Sequence, residues 1–204
     1  MASGSTLRTV GRVIVGVGLI GLLNAPTADS GEPTELALLV ISNSHIPERI
    51  RLRAQGVAAR IYRDIGVRLV WVAQGQPNVP YRFVLKISPS ALPSVSQAAL
   101  GLALRETLAY AFYGRIQEFT DANHIDLEVV LGHVIAHEIG HLLLPQHYHS
   151  KTGLMSSTWT PEQAYGAGQR DLKFSADESR LIRTRLAEPV TLSAARIVSP
   201  RAER

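Results

Sequence analysis

Two histidines and a glutamate occur within five residues of an otherwise apolar stretch of the chain. Residues 125–144 read IDLEVVLGHVIAHEIGHLLL, which predicts one long helix from Ile125 to Leu144. Residues four apart share a helix face, so His137 and His141 can present two imidazoles to one ion, with Glu138 beside them. Such groups are costly to bury unless they are satisfied, and a metal ion would satisfy all three. The spacing therefore predicts a metal centre on this helix.

Zinc is the ion that this H-E-x-x-H arrangement favours. Neutral imidazoles suit Zn²⁺, and a catalytic zinc keeps three protein ligands and one water. The carboxylate of Glu138 can take a proton from that water as it attacks a carbonyl group, while the metal polarises the substrate oxygen. The chain has no cysteine, so any metal must be held by His, Asp or Glu.

The third ligand is expected after the helix. Pro145 disfavours helical geometry at Leu144 and turns the chain, and His147 and His149 follow directly. Both can return toward the first two histidines, so both are candidates.

Glu162 and His133 also bear on which residues bind the metal. A different zinc-hydrolase layout would take Glu162 as third ligand, from a helix that Pro161 could begin. His133 lies one turn before His137 on a neighbouring face, and we expect it behind the ligands or at the surface rather than on the metal.

The pattern resembles that of the metzincin metallopeptidases, whose motif H-E-x-x-H-x-x-G-x-x-H precedes a turn with a methionine beneath the zinc. Metzincin spacing implies His147 as the third ligand and Met155, in GLM, as the methionine of the Met-turn. Leu144 stands where the family has glycine. The resemblance implies a zinc-dependent endopeptidase with an α+β fold: a small mixed β-sheet, a long active-site helix, the Met-turn and a C-terminal helix.

HEIGHLLL followed by HSKTGLM is also similar to a group of predicted bacterial metallopeptidases, in which the histidine directly before the serine is the third ligand. That alignment implies His149 as the ligand, with Pro145 in place of a turn glycine. We prefer His149, because a turn two residues longer does not need the missing glycine, and keep His147 as the alternative.

A weaker similarity to archaemetzincin-like proteins covers residues 100–118, which include AYAFYGRI. The cysteines that hold a second zinc in archaemetzincins are absent, so this resemblance implies one zinc. In metzincins the substrate lies extended beside an edge strand, and Leu100–Leu104 is our candidate for that edge. Trp159 is a candidate for the wall of the site, and Tyr165 for a contact to a substrate oxyanion.

The elements that position this centre are predicted from periodicity. Short apolar or alternating runs predict strands, of which the first is expected to be buried on both faces: Leu36–Ile41, Val67–Ala73, Tyr81–Ser88, Leu100–Leu104 and Leu108–Tyr113. An amphipathic helix is expected after Pro47 and before Gly66. Ser175 and Glu178 form a capping box that opens a helix from Ala176 to Ala187.

The N-terminal segment has the layout of an export signal. Arg8 and Arg12 precede an uncharged run from Val13 to Leu23, so residues 1–28 are expected to be a signal peptide or an uncleaved membrane anchor formed by residues 8–25. The G-x-G-x-x-G match from Gly16 to Gly21 lacks the strand and helix of a dinucleotide site. We therefore expect an extracytoplasmic protein, membrane-attached only if this segment is retained.

Length and composition limit the remaining choices. The 204 residues suffice for one ordinary domain, and we assign residues 30–190 to the zinc-peptidase-like domain and 191–204 to a polar tail. A net charge of +4 is too small to indicate nucleic-acid binding. The expected partner is a peptide or protein substrate of a monomeric enzyme. The alternative is an exported zinc-binding module without turnover, although such a module would not need Glu138.

Overall fold

The computed structural model describes residues 33–42, 45–76, 79–104, 106–168 and 172–188. The strands are β1 (Thr34–Ser42), β2 (Val67–Ala73), β3 (Phe83–Ser88), β4 (Gly101–Leu104) and β5 (Leu108–Phe112). The helices are α1 (Glu48–Arg63), α2 (Tyr113–Asn123), α3 (Leu127–Leu143), α4 (Pro161–Gly168) and α5 (Ala176–Ala187). The expected signal peptide or anchor (residues 1–28) and the polar tail (191–204) lie outside the described residues.

The five strands form one mixed sheet in the order β2-β1-β3-β5-β4. Neighbouring strands run parallel except for β4, which pairs antiparallel with β5 and lies at one edge of the sheet. This confirms the predicted α+β fold with a small mixed sheet, a long helix and a C-terminal helix. Among the described strands β4 has a partner on one side only, so its outer backbone groups face away from them.

One face of the sheet carries the core. In β1, Leu36, Leu38 and Val40 are buried, whereas the residues between them are partly exposed. The expectation that this strand is buried on both faces was therefore wrong, because only one face is fully covered. The same alternation occurs in β3, where Phe83, Leu85 and Ile87 are buried.

Helices α1 and α3 pack against each other, and α3 also packs on β4 and β5. A Cβ added at Gly132 of α3 would stand 2.7 Å from the carbonyl oxygen of Ala54 in α1, so this glycine permits the close crossing. The crossing places α3, with its two histidines and glutamate, along the edge strand β4. Among the described residues, no helix combines the length and apolar character needed to cross a membrane.

Helix α2 was not predicted, and its start replaces the predicted end of the fifth strand at Tyr113. It buries Ile116 and Thr120 and packs Tyr113 and Phe119 partly buried against the core, a stripe of only three large apolar residues. The capping box at the start of α5 is present as predicted, with Ser175 and Glu178 bonded in both directions.

Candidate metal centre

Helix α3 supplies the first two histidines and the glutamate. From Val130 to Gly140 every residue is buried, so this helix is enclosed on all sides rather than amphipathic. It ends at Leu143, and Leu144 is extended, with φ −92° and ψ 165°, as expected for a residue before proline. His137 and Glu138 are almost fully buried, whereas the side chain of His141 is partly exposed.

Three imidazoles converge beside the C-terminal half of this helix. The Nε2 atoms of His137 and His141 lie 3.0 Å apart. The ring of His149 lies 5.7 Å from that of His137 and 4.8 Å from that of His141, measured between centroids. One ligand nitrogen from each of the three histidines lies within 4.8 Å of the other two. We call His137, His141 and His149 the three-histidine group.

The donor set of this group fits a zinc ion. Zinc binds imidazole nitrogen at about 2.0–2.1 Å, so two ligands of a tetrahedral site stand about 3.3 Å apart. The 3.0 Å between the Nε2 atoms of His137 and His141 is close to that spacing. Three histidine ligands also leave a fourth position for water, as in catalytic zinc sites.

A backbone carbonyl outside α3 orients the first histidine. The Nδ1 atom of His137 lies 2.7 Å from the carbonyl oxygen of Leu154 and donates a hydrogen bond to it. The lone pair of that imidazole is then on Nε2, which faces His141. Burial lowers the pKa of His137 to about 4 and that of His141 to about 3, so both rings are neutral at pH 7, the form that binds metal.

The loop after α3 separates the two candidates for the third histidine. His147 adopts the left-handed conformation, with φ 59°, whereas Leu144 does not. A glycine is therefore not required where the metzincin motif has one. The backbone N–H of Ser150 bonds to the carbonyl of Met155, which fixes the loop next to His149. His147 lines the same cavity but is not part of the three-histidine group.

Met155 is fully buried against α3. A Cβ added at Gly140 would stand 2.7 Å from its sulfur atom, so the thioether lies directly against this glycine. Gly140 precedes His141 and lies on the turn of α3 that also holds His137. The GLM segment thus supports the histidines twice, through the side chain of Met155 and the carbonyl of Leu154. No side-chain pattern in the sequence could have indicated the second contact.

The carboxyl group of Glu138 points toward the edge strand. Its residue is only 6% exposed, and burial raises its pKa to about 8, against the opposing effect of a hydrogen bond from the backbone N–H of Ala103 in β4. A cation at the three-histidine group would favour the charged carboxylate, in the same direction as that hydrogen bond. The predicted general base is therefore in contact with the strand where we expect substrate.

Of the other candidate residues, Trp159 and His133 lie at or behind the cavity wall, whereas Tyr165 and Glu162 do not line the cavity. The ring of Trp159 lies 5.6 Å from that of His137 and forms part of the cavity wall. His133 is buried rather than at the surface; its Nδ1 atom lies 2.8 Å from the carbonyl of Val129, and its ring packs against Trp159. Tyr165 and Glu162 are exposed on α4, and neither lines the cavity.

A cavity of about 1080 Å³ contains the three-histidine group and Glu138. Strand β4 forms one wall with Gly101, Leu102 and Ala103, and the segment after the Met155 turn forms another. A pocket of this size beside an edge strand has room for several residues of an extended peptide.

Comparisons with known proteins show the fold. No protein-family model matches the sequence, and no curated protein matches it. Among solved structures, archaemetzincin from Methanopyrus kandleri matches with a TM-score of 0.53 and 13% sequence identity, over 78% of this chain and 99% of that chain. The likeness shows a metzincin-like fold.

Proposed function

We propose that this chain is a zinc-dependent peptidase, with His137, His141 and His149 as metal ligands and Glu138 as general base. The observation that carries the proposal is the convergence of three imidazoles in a cavity that also holds a buried carboxylate. A metal site without catalysis would have no need for that carboxylate. The likeness to archaemetzincin supports the proposal at the level of the fold.

The proposed hydrolysis of a peptide bond uses the metal and the carboxyl group of Glu138. When bound, zinc supplies a Lewis acid and a water of lowered pKa. Glu138 accepts the proton of the attacking water and delivers it to the leaving amine. The buried surroundings of Glu138 keep bulk water from competing for that proton.

The edge strand β4 is the proposed binding surface for the peptide substrate. The backbone N–H of Phe112 bonds to the carbonyl of Leu100, so in the antiparallel ladder Leu100, Leu102 and Leu104 direct their backbone groups toward β5. Gly101 and Ala103 then direct theirs outward. The N–H of Ala103 bonds to Glu138, so its carbonyl and the backbone groups of Gly101 are the groups to which an extended peptide can add as a further strand. We propose a peptide or protein as substrate and a monomer as the active form, with residues 1–28 directing export.

The first test is metal content measured together with peptide cleavage. We expect the purified full-length protein to hold about one zinc per chain and to cleave members of an unbiased peptide library, because the ligand set and the base are both present. A chelator should abolish cleavage and added zinc should restore it. Stoichiometric zinc without cleavage of any peptide would indicate a zinc-binding module, and a protein that binds no zinc would refute the proposal.

Replacing Ala103 by proline is expected to lower cleavage by more than about tenfold. Proline removes the N–H that donates a hydrogen bond to Glu138. Its ring also lies on the outer side of β4, where the substrate is expected. The measurement is the rate of cleavage of a peptide identified in the library, with zinc content as the control for an intact centre. Unchanged cleavage would contradict the assignment of β4 as the substrate edge.

A further inference from the structure

Gly101 of β4 lies against the side chain of Glu138. A Cβ added at Gly101 would stand 2.5 Å from Oε1, 2.6 Å from Cγ and 2.8 Å from Cδ of that glutamate, distances that real Cβ atoms essentially never show. The backbone of Gly101 does not have a positive φ, so its conformation does not demand glycine. Glycine is required here because the side chain of Glu138 occupies the space in which a Cβ would lie.

Ala103, two residues further along the strand, acts on the same carboxyl group. Residues two apart in a strand direct their backbone groups to the same side, and here that side is the outer edge. The N–H of Ala103 donates a hydrogen bond to Glu138. One residue therefore leaves room for the side chain, and the other holds its carboxylate.

We propose that β4 positions the general base, with Gly101 and Ala103 as positioning residues for Glu138. For catalysis this inference rests on the proposed function, whereas the contact itself can be tested without it. The same short strand then has two roles, since it directs the base and presents the edge to which the peptide adds.

The packing of α3 and β4 determines which of the two a larger residue at position 101 would displace. Helix α3 is buried around Glu138 and cannot easily shift, whereas β4 has four residues and, within the part of the chain that the structure describes, is paired on one side only. Either the strand moves outward or the glutamate side chain changes rotamer. Both movements separate the carboxylate from the N–H of Ala103 while leaving His137 and His141 in place.

The contact can be tested by thermal unfolding of the full-length protein in the presence of a chelator. Gly101→Ala is expected to lower the melting temperature by about 2–10 °C, because it overfills a packed site. In a Glu138→Ala background the same substitution should cost little, because the side chain that clashes is gone. An equal loss in both backgrounds would overturn the proposal.

Gly56→Ala is the matched control for that experiment. Gly56 lies within α1, and a Cβ added there has no atom within 4 Å. It should change the melting temperature by the same amount with and without Glu138. If the effect of Gly56→Ala on the melting temperature differed between the two backgrounds as much as that of Gly101→Ala, the dependence on Glu138 would not be specific to β4. That result would also overturn the proposal.

Kinetics then test the positioning of the base. Gly101→Ala is expected to lower kcat by about 10²-fold with unchanged zinc content and little change in KM, because a base displaced by about 1 Å transfers protons poorly. In the Glu138→Ala background, where both the base and the clashing side chain are gone, Gly101→Ala should lower the residual kcat much less. An unchanged kcat in the Gly101→Ala variant would refute the positioning role. A wild-type protein without cleavage would refute the proposed function, while the unfolding experiment would still decide the contact.

Discussion

Replacing Glu138 by glutamine is expected to lower kcat/KM for peptide cleavage by about 10²–10⁴-fold while the protein keeps its zinc. Glutamine has the same shape and can still accept the hydrogen bond from Ala103, but it cannot take a proton from water. The three-histidine group is unchanged by the substitution, so the metal should bind as before. The measurements are steady-state cleavage and zinc content on the same preparation.

Glu162→Gln provides the matched control for that prediction. Glu162 is exposed in the first turn of α4 and lies outside both the cavity and the three-histidine group. Its substitution should change neither zinc content nor cleavage. Loss of zinc in this variant would support the layout in which Glu162 is the third ligand. Full activity in the Glu138→Gln variant would show that another group serves as the base.

Much of the fold could be predicted because its elements carry strong local signals. The reciprocal bonds of Ser175 and Glu178 define the start of α5. The long apolar run around H-E-x-x-H locates α3 to within two residues at its start and one at its end. Helix α2 shows the limit of such reasoning. A strand directly precedes it, and its first turn contains Gly114, where an added Cβ would meet the carbonyl of Pro89 at 2.5 Å.

The candidate site was predictable in its side chains but not in its backbone contacts. Histidine and glutamate types and their spacing were sufficient to single out His137, Glu138 and His141. The carbonyl of Leu154 and the N–H of Ala103 can be contributed by any residue type, so no letter of the sequence marks them. Gly101 carried no signal either, since its role depends on how closely α3 approaches β4 in the folded chain.

The structure also accounts for the open choice between the two later histidines. Because Leu144 is extended and the left-handed residue is His147, the chain turns later than the metzincin motif requires. The later turn brings the ring of His149 to the other two, while His147 lines the cavity outside the three-histidine group. The chain thus departs from the metzincin motif at Leu144, and the third histidine of the three-histidine group comes two residues later than that motif has it.

Substitution of His149 by asparagine is expected to weaken zinc binding by more than about 10²-fold, whereas His147→Asn should leave it nearly unchanged. Loss of a group that only orients a ligand already costs 10–100-fold in metal affinity, so loss of a ligand should cost more. Asparagine is chosen for both variants because it tolerates the left-handed backbone of His147, which alanine would strain. Competition with a chromophoric chelator measures the affinity directly.

Thermal unfolding with and without added zinc gives a second measurement of the same choice. A ligand that binds only the folded state raises the melting temperature, so zinc should stabilise the wild type and the His147→Asn variant but have little effect on His149→Asn. The reverse result would make His147 the third ligand and would mean that the loop after Leu144 rearranges when metal binds. Equal losses in both variants would indicate that the two histidines share the site, which the separation of His147 from the three-histidine group argues against.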